Sequence, residues 1–369
     1  MFQSVAESKA VDCLLFSYRD ILDGKFSLKE IASQSGILRI ESPGENEMVR
    51  EAFIRRGMLE SEIEIPSELD IRYGEIKYGK YWYLGFSAFL DELQVNLDEF
   101  GENLQVLNSP KAIQLMFHKW ECQEVLKAAK VSVPSLLGKF ESLENLLSLM
   151  ETHDASAVFV KPLHGSSASG VLAFRATKAQ QDKARKMVAK TSVLLQEDKD
   201  DRGAFRLMNS LRLSKYFSSK VLKVLIDRLA VDGLYAERWL PKERAESGVY
   251  DLRVLVINGR ARHVVARESE SPITNLHLGN KRGNLEQIRQ ALGAEVWKSI
   301  CAIAEDAVAA IDGAFYAGVD VLVRSNQHDV FVLEVNAFGD LLPKLLHEGE
   351  NCYEAIIEAA LLEFGNTPN

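Results

Sequence analysis

Two hydrophobic rhythms alternate along the chain. Short apolar runs with strand-like composition are followed by longer stretches whose apolar residues fall three and four apart, a mixture that predicts an α/β (α+β) protein. The pattern predicts strands over 11–17 (VDCLLFS) and 37–41 (ILRIE), and a helix over 45–59 with Met48, Ala52, Phe53 and Leu59 on one face. Asn108-Ser109-Pro110 is a helix start, with a capping side chain and proline in the first turn, and that helix is expected to run to about Lys130. A strand over 157–161 (AVFVK), a flexible loop over 162–170 (PLHGSSASG) and a returning strand over 171–174 come next. The basic stretches 180–190 and 204–228 read as helices, and strands are expected over 234–240, 251–257 and 261–267, the last two joined by a turn at 258–260.

Toward the C-terminus, helices are expected over 284–292 and 295–312. In the second, Ile300, Ile303, Ala304, Ala307, Val308 and Ile311 form a continuous core stripe. A hairpin of 318–323 and 330–336 turns on RSNQHD. No internal repeat or low-complexity tract interrupts the chain, and a domain boundary is placed near Asn108.

Composition narrows the class. With 369 residues the chain has room for two or three domains and a substantial core. Its net charge of −9 argues against a protein that coats nucleic acid, although a local basic pocket remains compatible with it. Cys13, Cys122, Cys301 and Cys352 are far apart and form no CxxC, which disfavours a zinc site or a disulfide framework and points to a reducing cytoplasm. Neither a signal peptide nor a membrane-spanning run is expected.

Several clusters could carry chemistry. Lys161 ends an apolar strand, where its charge needs an anion, and the glycine- and serine-rich loop after it would let backbone N–H groups approach phosphate oxygens. Taken alone, the segment fits a surface hairpin with a snorkelling lysine as well. Glu334 and Asn336 are two apart on a strand and share a face. If Asp320 pairs opposite Glu334, three oxygen-bearing side chains converge, a donor set suited to Mg²⁺ or equally to a structural network with arginines. The polar block 267–283 holds Arg267, Lys281 and Arg282 among asparagines and glycines.

In order and spacing, these features from Asn108 to Pro343 resemble the ATP-grasp superfamily of carboxylate–amine ligases, the group that includes glutathione synthetase and D-alanine–D-alanine ligase. The segments that carry the resemblance are NSPKAIQLMFHKWECQEVL, Lys161 with GSSASG, Ala236-Glu237-Arg238-Trp239-Leu240-Pro241, Asp251-Leu252-Arg253, Arg267, Arg282-Gly283, Asp320 and Glu334-Val335-Asn336. SPGENE, PITNLHLGNKRGN and EVNAFGDLLP are further similar to a poorly characterised bacterial ATP-grasp family.

The resemblance implies an ATP-grasp fold, with two α+β subdomains clamping nucleotide at 109–235 and 236–369. Before them, residues 1–108 would form a Rossmann-like domain; only ten residues precede VDCLLFS, so either its sheet is reduced or the assigned start is late. It implies ATP and Mg²⁺ (or Mn²⁺) as cofactors. Lys119 and Lys161 would hold the α- and β-phosphates, with Gly165, Ser166, Ser167, Ser169 and Gly170 closing over the β- and γ-phosphates. Glu237, Arg238, Trp239 and Leu240 would form the adenine hinge, with Asp251 near the ribose. Asp320, Glu334 and Asn336 would bind the metal, while Arg253, Arg267 and Arg282 would serve catalysis. The expected reaction activates a carboxylate as an acyl phosphate and joins it to an amine, releasing ADP and phosphate. A kinase on the same fold and a non-catalytic nucleotide-binding module are the alternatives. The expected partners are small-molecule or peptide substrates, with no nucleic acid and no membrane; the oligomeric state is left open.

Overall fold

The computed structural model describes residues 2–44, 46–165, 169–178, 185–198, 205–326, 328–338 and 345–365. Two six-stranded sheets organise it. The first is antiparallel throughout and runs Leu136–Phe140, Leu234–Arg238, Ala157–Pro162, Leu172–Ala176, Met187–Glu197, Phe205–Tyr216. Helices Leu143–Thr152 and Ser219–Ala230 pack on it through Leu146, Leu222, Leu225 and Ile226, all fully buried with Val158, Val160 and Phe174 of the strands. The second sheet runs Lys281–Arg282, Arg260–Ser269, Gly248–Ile257, Tyr316–Val323, Val330–Asn336, with Arg244–Ala245 added beside Gly248–Ile257. Helix Leu285–Ala309 buries the Ile300-to-Val308 stripe against it and breaks its own pattern at Gly293 (φ 78°).

The predicted hairpin holds and Asp320 pairs with Glu334; the next pair is Val321 with Val332, so Leu333 is an extra residue that shifts the register by one. Three expectations do not hold. Residues 11–17 form no strand; Leu14 and Leu15 are 72% and 71% exposed, and among the described residues no strand pairs with the segment. The stretches expected as helices at 180–190 and 204–228 are the strands Met187–Glu197 and Phe205–Tyr216, followed by a helix only from Ser219; residues 179–184 and 199–204 lie outside the described set. Leu, Met, Arg and Lys are good helix formers, but pairing across the sheet overrides that preference. The helix from Pro110 stops at Phe117, and a second starts at Lys119.

Residues before Asn108 are mainly helical. What they share with a Rossmann-like unit is one parallel strand pair, Gly36–Leu38 with Leu104–Val106, bridged by helices Glu47–Glu60 and Gly79–Phe100. These helices meet backbone to backbone. A Cβ on Gly57 would lie 1.8 Å from the Tyr81 carbonyl oxygen, and one on Gly85 would lie 1.9 Å from that of Phe53. That contact turns the first helix so that Val49, Phe53, Ile54 and Met58 are buried, while Met48 and Leu59 of the expected face stay exposed.

This N-terminal region is tied to the first sheet. Ile76 donates to the Leu207 carbonyl and Asn209 to that of Gly74, both at 2.8 Å, which adds a short segment to the Phe205–Tyr216 edge. Arg206 bonds Asp70, Glu75 and Asp198 at 2.7–2.9 Å. Asp232 accepts from the backbone of Gly79, at the start of the long helix, at 3.0 Å. Among the described residues no helix is long and apolar enough to cross a membrane.

Candidate active site

A cavity of about 380 Å³ opens between the two sheets, lined by residues from both and by Ser42, Gly44 and Trp82 of the N-terminal region. Its first wall depends on the break at His118. His118 leaves helical geometry (ψ 86°), and its Nδ1 accepts from the Glu121 backbone, so it caps the second helix. It also bridges to His164, while the Lys119 backbone donates to the Leu163 carbonyl at 2.8 Å. The interruption therefore sets Lys119 beside the exit of the strand that carries Lys161. His164 stacks on Tyr83 with ring centroids 4.0 Å apart, and burial, reinforced by His118 and Lys139, pushes its pKa down to about 3.

Both lysines are paired inside the cavity. Lys119 Nζ lies 2.6 Å from Glu334 Oε1, and Lys161 Nζ lies 2.6 Å from Glu237 Oε1. Lys161 also donates to the Leu333 carbonyl at 3.3 Å, so each lysine spans from the first sheet or its lead-in helix to strand Val330–Asn336. Burial raises the Glu237 pKa against the opposing pull of Lys161. The second Glu237 oxygen, Oε2, is buried without a hydrogen-bond partner, an acceptor that a ligand donor would satisfy.

The opposite wall is an ionic chain. Arg253, opposite Asp320 in the sheet, bonds it through Nε and Nη2. Arg267 Nη2 is 3.0 Å from Asp320, and its Nε is 2.8 Å from Asp251. Lys242 continues the chain to Asp251 at 2.8 Å and also contacts Thr274 Oγ1, whose hydroxyl bonds Asp251. Burial pushes Asp320 and Asp251 up, but their cationic partners more than offset it and leave both below the ordinary carboxylate range. Burial lowers Lys242, with Asp251 opposing.

Asp320, Glu334 and Asn336 all line the cavity and offer only oxygen donors toward a cation, which fits Mg²⁺. In this state the carboxylates are occupied by arginine and lysine, and Asn336 Nδ2 donates to the Gly318 carbonyl at 3.2 Å. Among the described residues no group of three or more His, Cys, Asp or Glu side chains forms a preassembled metal site.

The expected residues thus separate. Lys119, Lys161, Gly165, Glu237, Arg238, Leu240, Asp251, Arg253, Arg267, Asp320, Glu334 and Asn336 line one cavity. Trp239 is not part of that lining and packs instead against Phe159 and Arg175. Arg282 is exposed and is not part of that lining, although on the outer strand Lys281–Arg282 it pairs directly with the lining residue Arg267. Ser169 and Gly170 are outside the lining, and Ser166 and Ser167 lie outside the described residues. Sequence reasoning missed Lys242 and Thr274, as well as Ser42 and Gly44, which entered only within the SPGENE block of the family resemblance. A lysine directly after the hinge proline, nine residues before Asp251, was the available signal for Lys242.

Two antiparallel sheets gripping a cavity, lysines on one side and carboxylates on the other, are the architecture of an ATP-grasp protein. The chain belongs to the YheC/D-like ATP-grasp family, whose model matches residues 109–341. Among solved structures, the chain is similar to the ATP-grasp ligase PsnB complexed with minimal precursor, at 14% identity and a TM-score of 0.53, over 99% of this chain and 95% of that one. PsnB complexed with minimal precursor, Mg and ADP aligns at 15% identity and a TM-score of 0.46, over 89% and 78% of the two chains. The D-alanine–D-alanine ligase from Coxiella burnetii aligns at 15% and 0.44, over 76% and 64%. At 14% identity, the first of these likenesses speaks to the fold alone. No curated protein matches the sequence.

Proposed function

We propose that the protein is an ATP-dependent ligase that binds Mg·ATP in this cavity, converts a carboxylate into an acyl phosphate and joins it to an amine. The observation that carries this reading is the convergence of Lys119 and Lys161 from one wall with Asp320, Glu334 and Asn336 from the other. A carboxylate oxygen attacks the γ-phosphorus and ADP leaves. The amine nitrogen then attacks the acyl carbon, phosphate leaves and the amine gives up a proton. The protein's task is positioning and charge neutralisation. Lys119 and Lys161 exchange their carboxylate partners for phosphate oxygens, and the free Glu237 Oε2 accepts from the adenine or ribose. Asp320, Glu334 and Asn336 would hold Mg²⁺, which would supply charge neutralisation during phosphoryl transfer. Arg253 and Arg267 face the transferring group.

The acceptor end is the aromatic side of the cavity. Trp82 packs on Phe117 at 5.7 Å and Phe117 on Phe338 at 5.6 Å, two residues past Asn336. A small molecule or a peptide would bring its carboxylate there, and peptide substrates gain support from the neighbour complexed with a precursor. We further infer a division of the chain near 108 and, because strand Leu234–Arg238 lies wholly in the first sheet, a second boundary just after Arg238 in place of the expected 235/236, together with a cytoplasmic setting suited to four free cysteines.

The test incubates the protein with Mg·ATP and pools of carboxylates and amines, then separates nucleotides by anion exchange. ADP with equimolar phosphate, dependent on both pools, is expected. AMP matched by pyrophosphate overturns the acyl-phosphate route.

A further inference from the structure

The cavity's charges do not all cancel. Lys119 meets Glu334 and Lys161 meets Glu237, one to one. The remaining cluster sets three cations, Lys242, Arg253 and Arg267, against two carboxylates, Asp251 and Asp320. All five line the cavity, and Lys242, Arg267, Asp251 and Asp320 are each at most 8% exposed. An excess positive charge out of water is costly unless an anion completes it. A metal that draws on Asp320 leaves the cluster more positive still.

Lys242 is the member the fold needs least. Asp251 already receives Arg267 Nε at 2.8 Å and the Thr274 hydroxyl, so its carboxylate stays paired without the lysine. The Lys242 ammonium has three protons, of which Asp251 and Thr274 take two. The third has no acceptor among the described residues, and Lys242 lines the cavity. Resting on the foregoing nucleotide reading, we propose that Lys242 is a nucleotide-binding residue, whose ammonium, aimed by Asp251 and Thr274, grips an oxygen of the phosphate chain from the wall opposite Lys119 and Lys161. The phosphates are then clamped by ammonium groups from both walls of the cavity. The excess charge of the cluster is neutralised only when nucleotide is present.

Titration calorimetry with AMPPNP, ADP and adenosine, each with Mg²⁺, tests this on the wild-type chain and on Lys242→Met and Lys242→Gln. Gln keeps a polar group beside Asp251 and Thr274 without the charge, and a thermal melt identifies which variant is folded. AMPPNP and ADP are expected to bind the folded variant about ten- to a hundredfold more weakly, the range of a hydrogen bond to a charged group, while adenosine affinity is retained. Unchanged AMPPNP and ADP affinities overturn the Lys242 assignment alone. Equal losses for all three ligands also overturn it, because they mark a purely structural lysine. A wild-type chain that binds none of the three overturns the nucleotide reading itself.

Discussion

Glu334 is held by Lys119 at 2.6 Å and shares its strand face with Asn336, so one side chain links the lysine proposed for phosphate to the proposed metal set. Glu334→Gln keeps the shape and removes the charge. ATP turnover in the ligation assay is expected to fall by about a hundred- to a thousandfold, the usual cost of one such electrostatic contact. Nucleotide affinity should fall less, because Lys161 and Glu237 remain; unchanged turnover would contradict the metal role. His164 permits a second prediction. Its folded pKa, about 3, lies below the unfolded value near 6.5, so the unfolded chain takes up a proton first as pH falls. Stability that is present above pH 6.5 is lost as pH drops toward 3, by at most about 1.4 kcal/mol per pH unit. Between pH 6.5 and 5, His164→Phe, which can still stack on Tyr83, should show a shallower decline of unfolding free energy measured in urea. Identical slopes would contradict the assignment. Asp320, Glu334 and Asn336 were legible as a convergent set because strand alternation and hairpin register are local properties. Lys242 was not, because its meaning depends on Asp251 and Thr274, which reach it only through the folded sheet.

At the scale of elements, hydrophobic period served where a segment packs by its own face and failed where a partner decides. Helix Leu285–Ala309 buries the stripe read from the sequence. Strands Met187–Glu197 and Phe205–Tyr216 hold each other in register, and nothing in their Leu-, Arg- and Lys-rich composition announced it. The break at His118 was equally hidden, since it is set by the bridge to His164. The Gly57–Gly85 crossing fixes the first long helix pair. Gly85→Ala places a methyl 1.9 Å from the Phe53 carbonyl oxygen, which forces the helices apart. A loss of about 1–3 kcal/mol is expected from such overpacking. The urea midpoint reads it, and an unshifted midpoint would contradict the close crossing.

Across the whole molecule, the N-terminal region both lines the cavity and grips the edge of the first sheet. Ser42, Gly44 and Trp82 face the site, while Arg206, the Gly74–Ile76 segment and Asp232 tie the region to the sheet that carries Lys161. That arrangement was beyond the sequence pattern, because it joins residues more than a hundred positions apart through ion pairs and single backbone bonds. On the proposed reading, the cavity that the N-terminal region helps to line is where nucleotide and acceptor meet. The most direct test is a crystal structure of the protein with Mg²⁺ and AMPPNP. The account predicts adenine near Glu237 and Leu240, phosphates between Lys119, Lys161 and Lys242, and a metal on Asp320 and Glu334 at about 2.1 Å. Nucleotide bound elsewhere with this cavity empty would contradict it.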